Sequence, residues 1–165
     1  MSALHQLELP PAAVPGTGWR ETIERPFRDS SILLLAHDRR KEQLVDLAIC
    51  YRDILVRHQL IATPTTARVL HDMAGLVPIT LSSGLDGNDA EIVDCVQAVR
   101  MAAVIFLVDP FTRRAHEPNP GPVLEACGRY DIPLATNIAT ATAVLNLVSV
   151  FDAAERLPVP ALREK

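Results

Sequence analysis

Three chemically active side chains follow directly after a strongly apolar segment near the start of the chain. The run 31–36 is predicted to be a buried strand, and His37, Asp38 and Lys41 come immediately after it. An imidazole and a carboxylate can transfer protons, and a lysine can bind an anion as a point charge. Open α/β sheets carry their ligand sites at the carboxyl ends of the strands. This segment therefore predicts one wall of a ligand site.

Three further polar loops follow apolar segments in the same way. The loop Thr63-Pro64-Thr65-Thr66 follows a run ending at 62, the loop 82–89 follows 79–81, and Asp109 and Pro110, which lead to His116, follow 104–108. The carboxyl ends of parallel strands lie at one edge of a sheet. We therefore expect the four loops to form a single site.

Asp89 is the candidate general base. It ends a glycine-containing loop and stands in the first turn of a predicted helix that faces the other loops. A structural interpretation also fits, because Asn88 and Glu91 have the spacing of a capping box and an acidic residue is favourable near the amino end of a helix. The residues alone leave both interpretations open.

His116 is the candidate for proton exchange between two neighbouring oxygens. It lies in a polar loop between a buried strand and a helix, and the ordinary pKa of histidine is near working pH. A solvated loop histidine is the alternative. Asn119, which precedes Pro120, is explained as a helix N-cap.

A phosphate would suit the threonine loop. Hydroxyl groups and a helix amino terminus can donate to it from Thr63, Thr65 and Thr66, and Lys41 supplies a positive charge. Pro64 removes one N–H donor from this loop, and threonines before a helix are common caps. Asp38 and Asp109 end strands, and each is a candidate for function or for a structural turn.

The elements that would position these residues alternate along the chain. Short β-branched or leucine-rich runs separated by helical periods predict parallel strands crossed by helices. Strands are predicted near 31–36, 59–62, 77–81, 103–108 and 132–136. Helices are predicted near 41–57, after Thr66, from Asn88, at Pro120 and over 140–150; the second carries Val69, Leu70 and Met73 on its apolar face.

Composition limits the class of protein. The 165 residues predict one domain, preceded by a proline-rich arm over 1–30 with Trp19 and followed by a broken tail over 151–165. A net charge of −4 argues against nucleic-acid binding. Neither a signal peptide nor a membrane-spanning run is evident, so we expect a soluble cytoplasmic protein. Cys50, Cys95 and Cys127 have no metal or disulfide spacing and are expected in the core.

Taken together, the motifs resemble those of the methylglyoxal synthase family from about 31 to 147. They are Ala36-His37-Asp38 with Lys41, Thr63-Pro64-Thr65-Thr66, Ser83-Gly84 through Asp89, Asp109-Pro110 with His116, and the run 136–141. The resemblance implies a Rossmann-like three-layer α/β domain over 31–150 with a five-stranded parallel sheet, assembled as a homohexamer. It also implies that dihydroxyacetone phosphate is converted to methylglyoxal and phosphate without metal or organic cofactor.

The same resemblance implies roles for residues of this chain. Asp89 would remove a C3 proton to give an enediolate from which phosphate leaves, and His116 would move protons between its oxygens. The phosphate would be held by Lys41, Thr63, Thr65, Thr66 and the Ser83-Gly84 backbone. His37, Asp38 and Asp109 would support the substrate and the catalytic groups.

The chain departs from the family pattern at several positions. Pro64 and Ala67 replace glycines of the threonine loop, Asn88 replaces a glycine, and Asn119 replaces an aspartate. Arg163 is a candidate for the family's terminal arginine. These departures favour an alternative, a phosphate-ligand-binding or regulatory module of the same fold; a structural assembly subunit is a third hypothesis.

Overall fold

A five-stranded, all-parallel sheet forms the centre of the molecule. The computed structural model describes residues 30–81, 89–111 and 114–154. The strands are β1 (Ser31–Ala36), β2 (Gln59–Ala62), β3 (Ile79–Thr80), β4 (Met101–Leu107) and β5 (Leu134–Ala135), in the spatial order β3-β2-β1-β4-β5. All five predicted strands are present; β1 and β2 have the predicted bounds, and the ends of the other three differ from the predictions by one or two residues.

Six helices connect or follow the strands in the described part of the chain. They are α1 (Lys41–Cys50), α2 (Arg52–Leu55), α3 (Pro64–Ala74), α4 (Asp89–Ala98), α5 (Pro120–Arg129) and α6 (Ile138–Ala154). A short 3-10 turn, Asp38–Arg40, connects β1 to α1. None of these helices is both long and apolar enough to cross a membrane.

The sheet separates two apolar cores because side chains alternate between its faces. From β1, Ile32 and Leu34 pack with residues of α1, α2, α3 and α6, whereas Leu33 and Leu35 pack with residues of α4 and α5. Every residue of β1 is buried, as expected for a central strand covered by helices on both faces. The predicted three-layer α/β architecture is confirmed.

Several details differ from the sequence predictions. The helix expected over 41–57 is interrupted at Tyr51, and α3 begins at Pro64, where a missing N–H costs nothing because first-turn amides have no helical acceptor. The last helix begins earlier than Thr140, because the Asn137 Oδ1 accepts from the Thr140 N–H in the manner of an N-cap.

Two predictions of burial are wrong. Met73 was expected on the apolar face of its helix but is 61% exposed, and Cys50 is exposed, unlike the buried Cys95 and Cys127. Burial raises the pKa of the Cys95 thiol to about 12, so this group stays a neutral core side chain. Trp19 and Arg163 lie outside the described residues.

His58 connects the first and last described segments at the edge where the strands begin. Its Nδ1 lies 3.2 Å from the Ser30 carbonyl oxygen, and its Nε2 lies 3.2 Å from the Asp152 Oδ2. Both partners only accept hydrogen bonds, so the ring binds both when each nitrogen carries a hydrogen. Through this ring, α6 is attached to the start of β1.

Candidate active site

The candidate site lies where the order of the strands reverses direction along the sheet. The chain moves from β1 to β2 and β3 on one side, and β4 and β5 occupy the other side. In such sheets the usual ligand position lies beyond the carboxyl ends of the two strands at this reversal, here β1 and β4. Asp38 and Asp109 follow those two strands, so the fold brings their segments together.

Asp38 is the centre of the polar cluster at this edge of the sheet. Its Oδ1 accepts a hydrogen bond of 2.6 Å from Lys41 Nζ. Its Oδ2 is 2.9 Å from Arg114 Nη1 and 3.1 Å from His116 Nε2. A carboxylate that binds three cationic or hydrogen-donating groups is strongly favoured in its ionised form. The segment after β1 and the loop before α5 therefore meet at one charged group.

These contacts hold the pKa of Asp38 far below its ordinary value. The hydrogen bond from Lys41 is the largest cause and lowers the pKa; burial opposes it, and the His116 ring lowers the pKa further, to about 2. The folded state thus releases this proton more readily than the unfolded chain. The stabilisation is present above the ordinary value of 3.8 and is lost as pH falls towards 2.

We therefore expect the wild-type protein and the Asp38→Asn variant to differ less in stability as the solution is acidified. Asparagine cannot ionise, so only the wild type loses this contribution between pH 3.8 and about 2. Urea unfolding of both proteins from about pH 5 downwards measures the difference in free energy of unfolding. A difference that stays constant across this range would contradict the assigned ionisation.

Lys41 connects this cluster to the threonine loop. Its ammonium group donates to Asp38 and, over 3.0 Å, to Thr65 Oγ1. An ammonium has three hydrogens. Among the residues that the structure describes, Asp38 and Thr65 accept two of the three, which leaves one that can bind an anion. Lys41 thus stands beside the amino terminus of α3.

The other two threonines of the loop are buried and pair with each other. Thr63 Oγ1 donates to Thr66 Oγ1 over 3.0 Å, and the two residues are 3% and 1% exposed. The Ala67 N–H bonds to the Thr63 carbonyl, so the first-turn amides of Thr65 and Thr66 remain the natural donors to an anion. Pro64 takes the first helical position and offers no N–H.

His37 is a buried connection between three segments. The ring is 1% exposed, its Nδ1 accepts from the Asp109 N–H over 3.0 Å, and its Nε2 lies 3.0 Å from the Pro118 carbonyl oxygen. Because Nδ1 accepts and a carbonyl can only accept, the ring is the neutral tautomer with hydrogen on Nε2. Both ring nitrogens bind backbone groups, so His37 connects the end of β1 to the loop that runs from Asp109 to Pro118.

Asp109 forms the turn that follows β4. Its side chain is buried, and its Oδ1 accepts from the Phe111 N–H over 3.0 Å. This is the local hydrogen bond of an aspartate turn. The geometry supports the structural interpretation of Asp109, and its assignment as a catalytic group stays a prediction.

Asp89 is the first residue of α4 and is connected to the loop that carries His116. Its Oδ1 accepts from the Asn119 N–H over 2.9 Å, and the Asn119 Oδ1 caps α5 by accepting from the Gly121 N–H over 3.1 Å. The predicted N-cap role of Asn119 is confirmed. Asn119 therefore caps the start of α5 with its side chain and binds the carboxylate of the candidate base, Asp89, with its backbone N–H.

Glu117 is a buried acid that the sequence predictions missed. It is 8% exposed, and its two carboxylate oxygens accept from the backbone N–H groups of Asp38 and Arg114, each over 2.8 Å. Burial by itself raises the pKa of Glu117, but the amide hydrogen bonds of Arg114 and Asp38 lower it below its ordinary value. The carboxylate is thus ionised inside the loop.

The predicted site residues are placed as follows. Direct contacts join Asp38, Lys41, Thr65 and His116, while Asp89 is connected to the same loop through Asn119. Ser83 and Gly84 lie outside the described residues, as does Asn88. In the described ranges, no group of three or more histidine, cysteine or acidic side chains has the geometry to hold a metal ion.

Comparison with known proteins places this arrangement in a family. The family model described as MGS-like domain matches residues 43–136. The methylglyoxal synthase of Bacillus subtilis (strain 168) is 43% identical over 110 residues, which are 67% of this chain and 80% of that protein. The methylglyoxal synthase of Caldicellulosiruptor saccharolyticus is 40% identical over 122 residues, covering 74% of this chain and 86% of that protein.

A solved structure agrees with these sequence matches. The crystal structure of methylglyoxal synthase from Elizabethkingia anophelis NUHP1 has a TM-score of 0.63 and 26% sequence identity to this chain, and the match covers 80% of this chain and 93% of the other. The resemblance predicted from the motifs is therefore confirmed at the level of sequence and fold. This chain belongs to the MGS-like domain family.

Proposed function

We propose that this chain is a methylglyoxal synthase, a carbon-oxygen lyase that eliminates phosphate from dihydroxyacetone phosphate. The observation that carries the proposal is the cluster in which Asp38 joins Lys41, beside the threonine loop, to His116. A cation that can bind an anion and an imidazole that can transfer protons thus lie at one edge of the sheet. Family membership supports the same reaction, since the matched relatives bear that name.

The first step is removal of a proton. Asp89 accepts a proton from C3 of the substrate, and the electron pair forms the enediolate between C3 and C2. Asp89 keeps one oxygen on the Asn119 N–H, which leaves the other oxygen to take the proton. An enediolate is stabilised by donors placed in advance around its oxygens.

The second step moves protons between the enediolate oxygens and releases phosphate. When His116 donates through Nε2 to Asp38, its Nδ1 carries a lone pair that can accept a proton. The electrons of the enediolate expel phosphate from C1, and the resulting enol becomes methylglyoxal by proton transfer to carbon. Lys41 and the amides at the start of α3 hold the phosphate and offset the charge it takes away.

The test is incubation of purified protein with dihydroxyacetone phosphate, with methylglyoxal and inorganic phosphate measured together. The Asp89→Asn protein serves as the blank. Equal production of both compounds above the blank is the expected result. Production of neither compound would contradict the proposed activity.

One observation favours a second function, a phosphate-ligand-binding or regulatory module. Pro64 occupies the first position of α3, so the helix amino terminus has one fewer N–H to offer to a phosphate. A module of this kind would be stabilised by inorganic phosphate without turning over the substrate, because a ligand that binds only the folded state raises the melting temperature. Melting with and without phosphate, beside the turnover assay, separates the two functions.

A homo-oligomer, specifically a hexamer, and a cytoplasmic location are further parts of the proposal. They follow from the family resemblance and from the composition. Sedimentation of the purified protein measures the first of them.

A further inference from the structure

The contact between His116 and Asp38 is too weak to hold itself in place. The His116 side chain is 48% exposed, that of Asp38 is 28% exposed, and one hydrogen bond of 3.1 Å joins them. Exposed pairs of this kind contribute little to stability, because water screens the two charges. The separation of the two groups must therefore be set by the backbone segments that carry them.

A single buried carboxylate spans those two segments. One oxygen of Glu117 binds the N–H of Asp38, and the other binds the N–H of Arg114, which lies two residues before His116. Both bonds are 2.8 Å long and involve an ionised acceptor, which makes them about twice as strong as neutral hydrogen bonds. Glu117 also follows His116 directly in sequence. Its carboxylate therefore fixes the backbone on both sides of the contact.

The loop has a second connection that does not depend on Glu117. The neutral His37 ring binds the Asp109 N–H and the Pro118 carbonyl, at the two ends of the same loop. Loss of the Glu117 charge would thus leave the loop attached to the body of the domain. The expected consequence is a shift of geometry within the loop, with the fold retained.

We propose that Glu117 is a positioning residue for the elimination reaction, holding the Asp38 carboxylate and the His116 ring in register through their backbone. This inference rests on the proposed function. Glu117 does not itself meet substrate, because both of its oxygens are directed at backbone amides. A displacement of about 1 Å at a reacting group can cost about a hundredfold in rate.

The test compares Glu117→Gln with the wild type. Glutamine keeps the shape but has only one acceptor oxygen, so its NH2 group faces one of the two amide donors. We expect kcat to fall by about 10- to 100-fold. We expect KM to change by less than about threefold, because the Glu117 carboxylate bonds to the amides of Asp38 and Arg114, and neither amide is assigned to the phosphate. Glu125→Gln, an exposed acid on α5, is the matched control and should leave both constants unchanged.

A second variant separates positioning from general structural support. Glu117→Asp keeps the charge and both acceptor oxygens on a side chain one methylene shorter. Its kcat should be at least about fivefold higher than that of Glu117→Gln. A residue with only a structural role would lower the melting temperature while kcat per folded molecule stayed constant. An unchanged kcat in Glu117→Gln, or a rise in KM alone, would overturn the inference.

If the Glu117 variants do not fold, a measurement on the wild-type protein still tests the inference. Hydrogen exchange of the backbone amides should be slow at Asp38 and Arg114, since both donate to the buried carboxylate, and fast at the exposed Arg39. Equal rates at all three positions would overturn the inference. Wild-type protein without turnover contradicts the proposed function and the role of Glu117 in it, whereas wild-type turnover with an unaffected Glu117→Gln contradicts the inference alone.

Discussion

Replacement of Asp89 by asparagine should lower kcat by about a thousandfold, within the roughly 10²–10⁴-fold range that a positioned general base contributes. The reason is chemical. Asparagine Oδ1 can still accept from the Asn119 N–H, as Asp89 Oδ1 does, so the link between α4 and the loop is kept. The amide cannot take a proton from carbon. The effect should appear in kcat, with little change in KM, in an assay that follows methylglyoxal formation.

Asp94→Asn is the matched control for this variant. Asp94 lies on the same helix, is exposed, and loses the same charge in the substitution. The kcat of the Asp94→Asn protein should equal that of the wild type. Phosphate release by Asp89→Asn at the wild-type rate would show that another group is the base.

Replacement of Lys41 by methionine should raise KM by roughly 10- to 100-fold, the equivalent of about 1.5–3 kcal/mol for one hydrogen bond to a charged group. Methionine has nearly the same length, so the side chain still fills its half-buried space. The variant removes the cation that binds Asp38 and Thr65 and that we assign to the phosphate. Steady-state kinetics with dihydroxyacetone phosphate measure the change.

Arg39→Met is the control, because Arg39 is an exposed cation in the adjacent turn. Its KM should be that of the wild type. The melting temperature provides an independent readout: inorganic phosphate should raise it in wild type and Arg39→Met, and much less in Lys41→Met. An equal rise in all three proteins would show that Lys41 does not hold the phosphate.

The architecture was accessible from the sequence because it depends on periodic burial. The runs at 31–36 and 59–62 are strands with the predicted bounds, since each has one polar first residue followed only by apolar residues. Leu44, Leu47 and Ala48 lie at helical spacing within the helix predicted near 41–57, and all three are buried. Once the strands are parallel, the positions of the polar loops follow from the topology.

The contacts within the site were less accessible because they join residues distant in sequence. Glu117 stands in a polar loop that suggested solvent, and only its amide partners, one of them 79 positions away, explain its burial. The predicted role of His37 in supporting the substrate stays a prediction, and the sequence did not show that its two ring nitrogens bind the backbone of Pro118 and Asp109. The signal available in the sequence was an acidic residue directly after the candidate catalytic histidine.

Tertiary contacts also explain where the helices depart from the predictions. Tyr51 leaves helical geometry, and its hydroxyl donates to Asn146 Oδ1 on α6 over 3.1 Å. Met73 has the right spacing for an apolar face, yet it projects from the side of α3 that no described element covers. The periodicity of a local segment does not show which other elements pack against it, so neither difference could be predicted from it.

His58 has a consequence for joining this domain to other polypeptides. Ser30 and Asp152 both contact this one ring, so the described chain enters and leaves the domain at nearly the same point. Domains whose ends lie close together tolerate circular permutation and insertion into a host protein. The attachment point is at the edge where the strands begin, and Asp38 is at the edge where they end. A host joined there would be held at the opposite edge of the sheet from the Asp38 cluster.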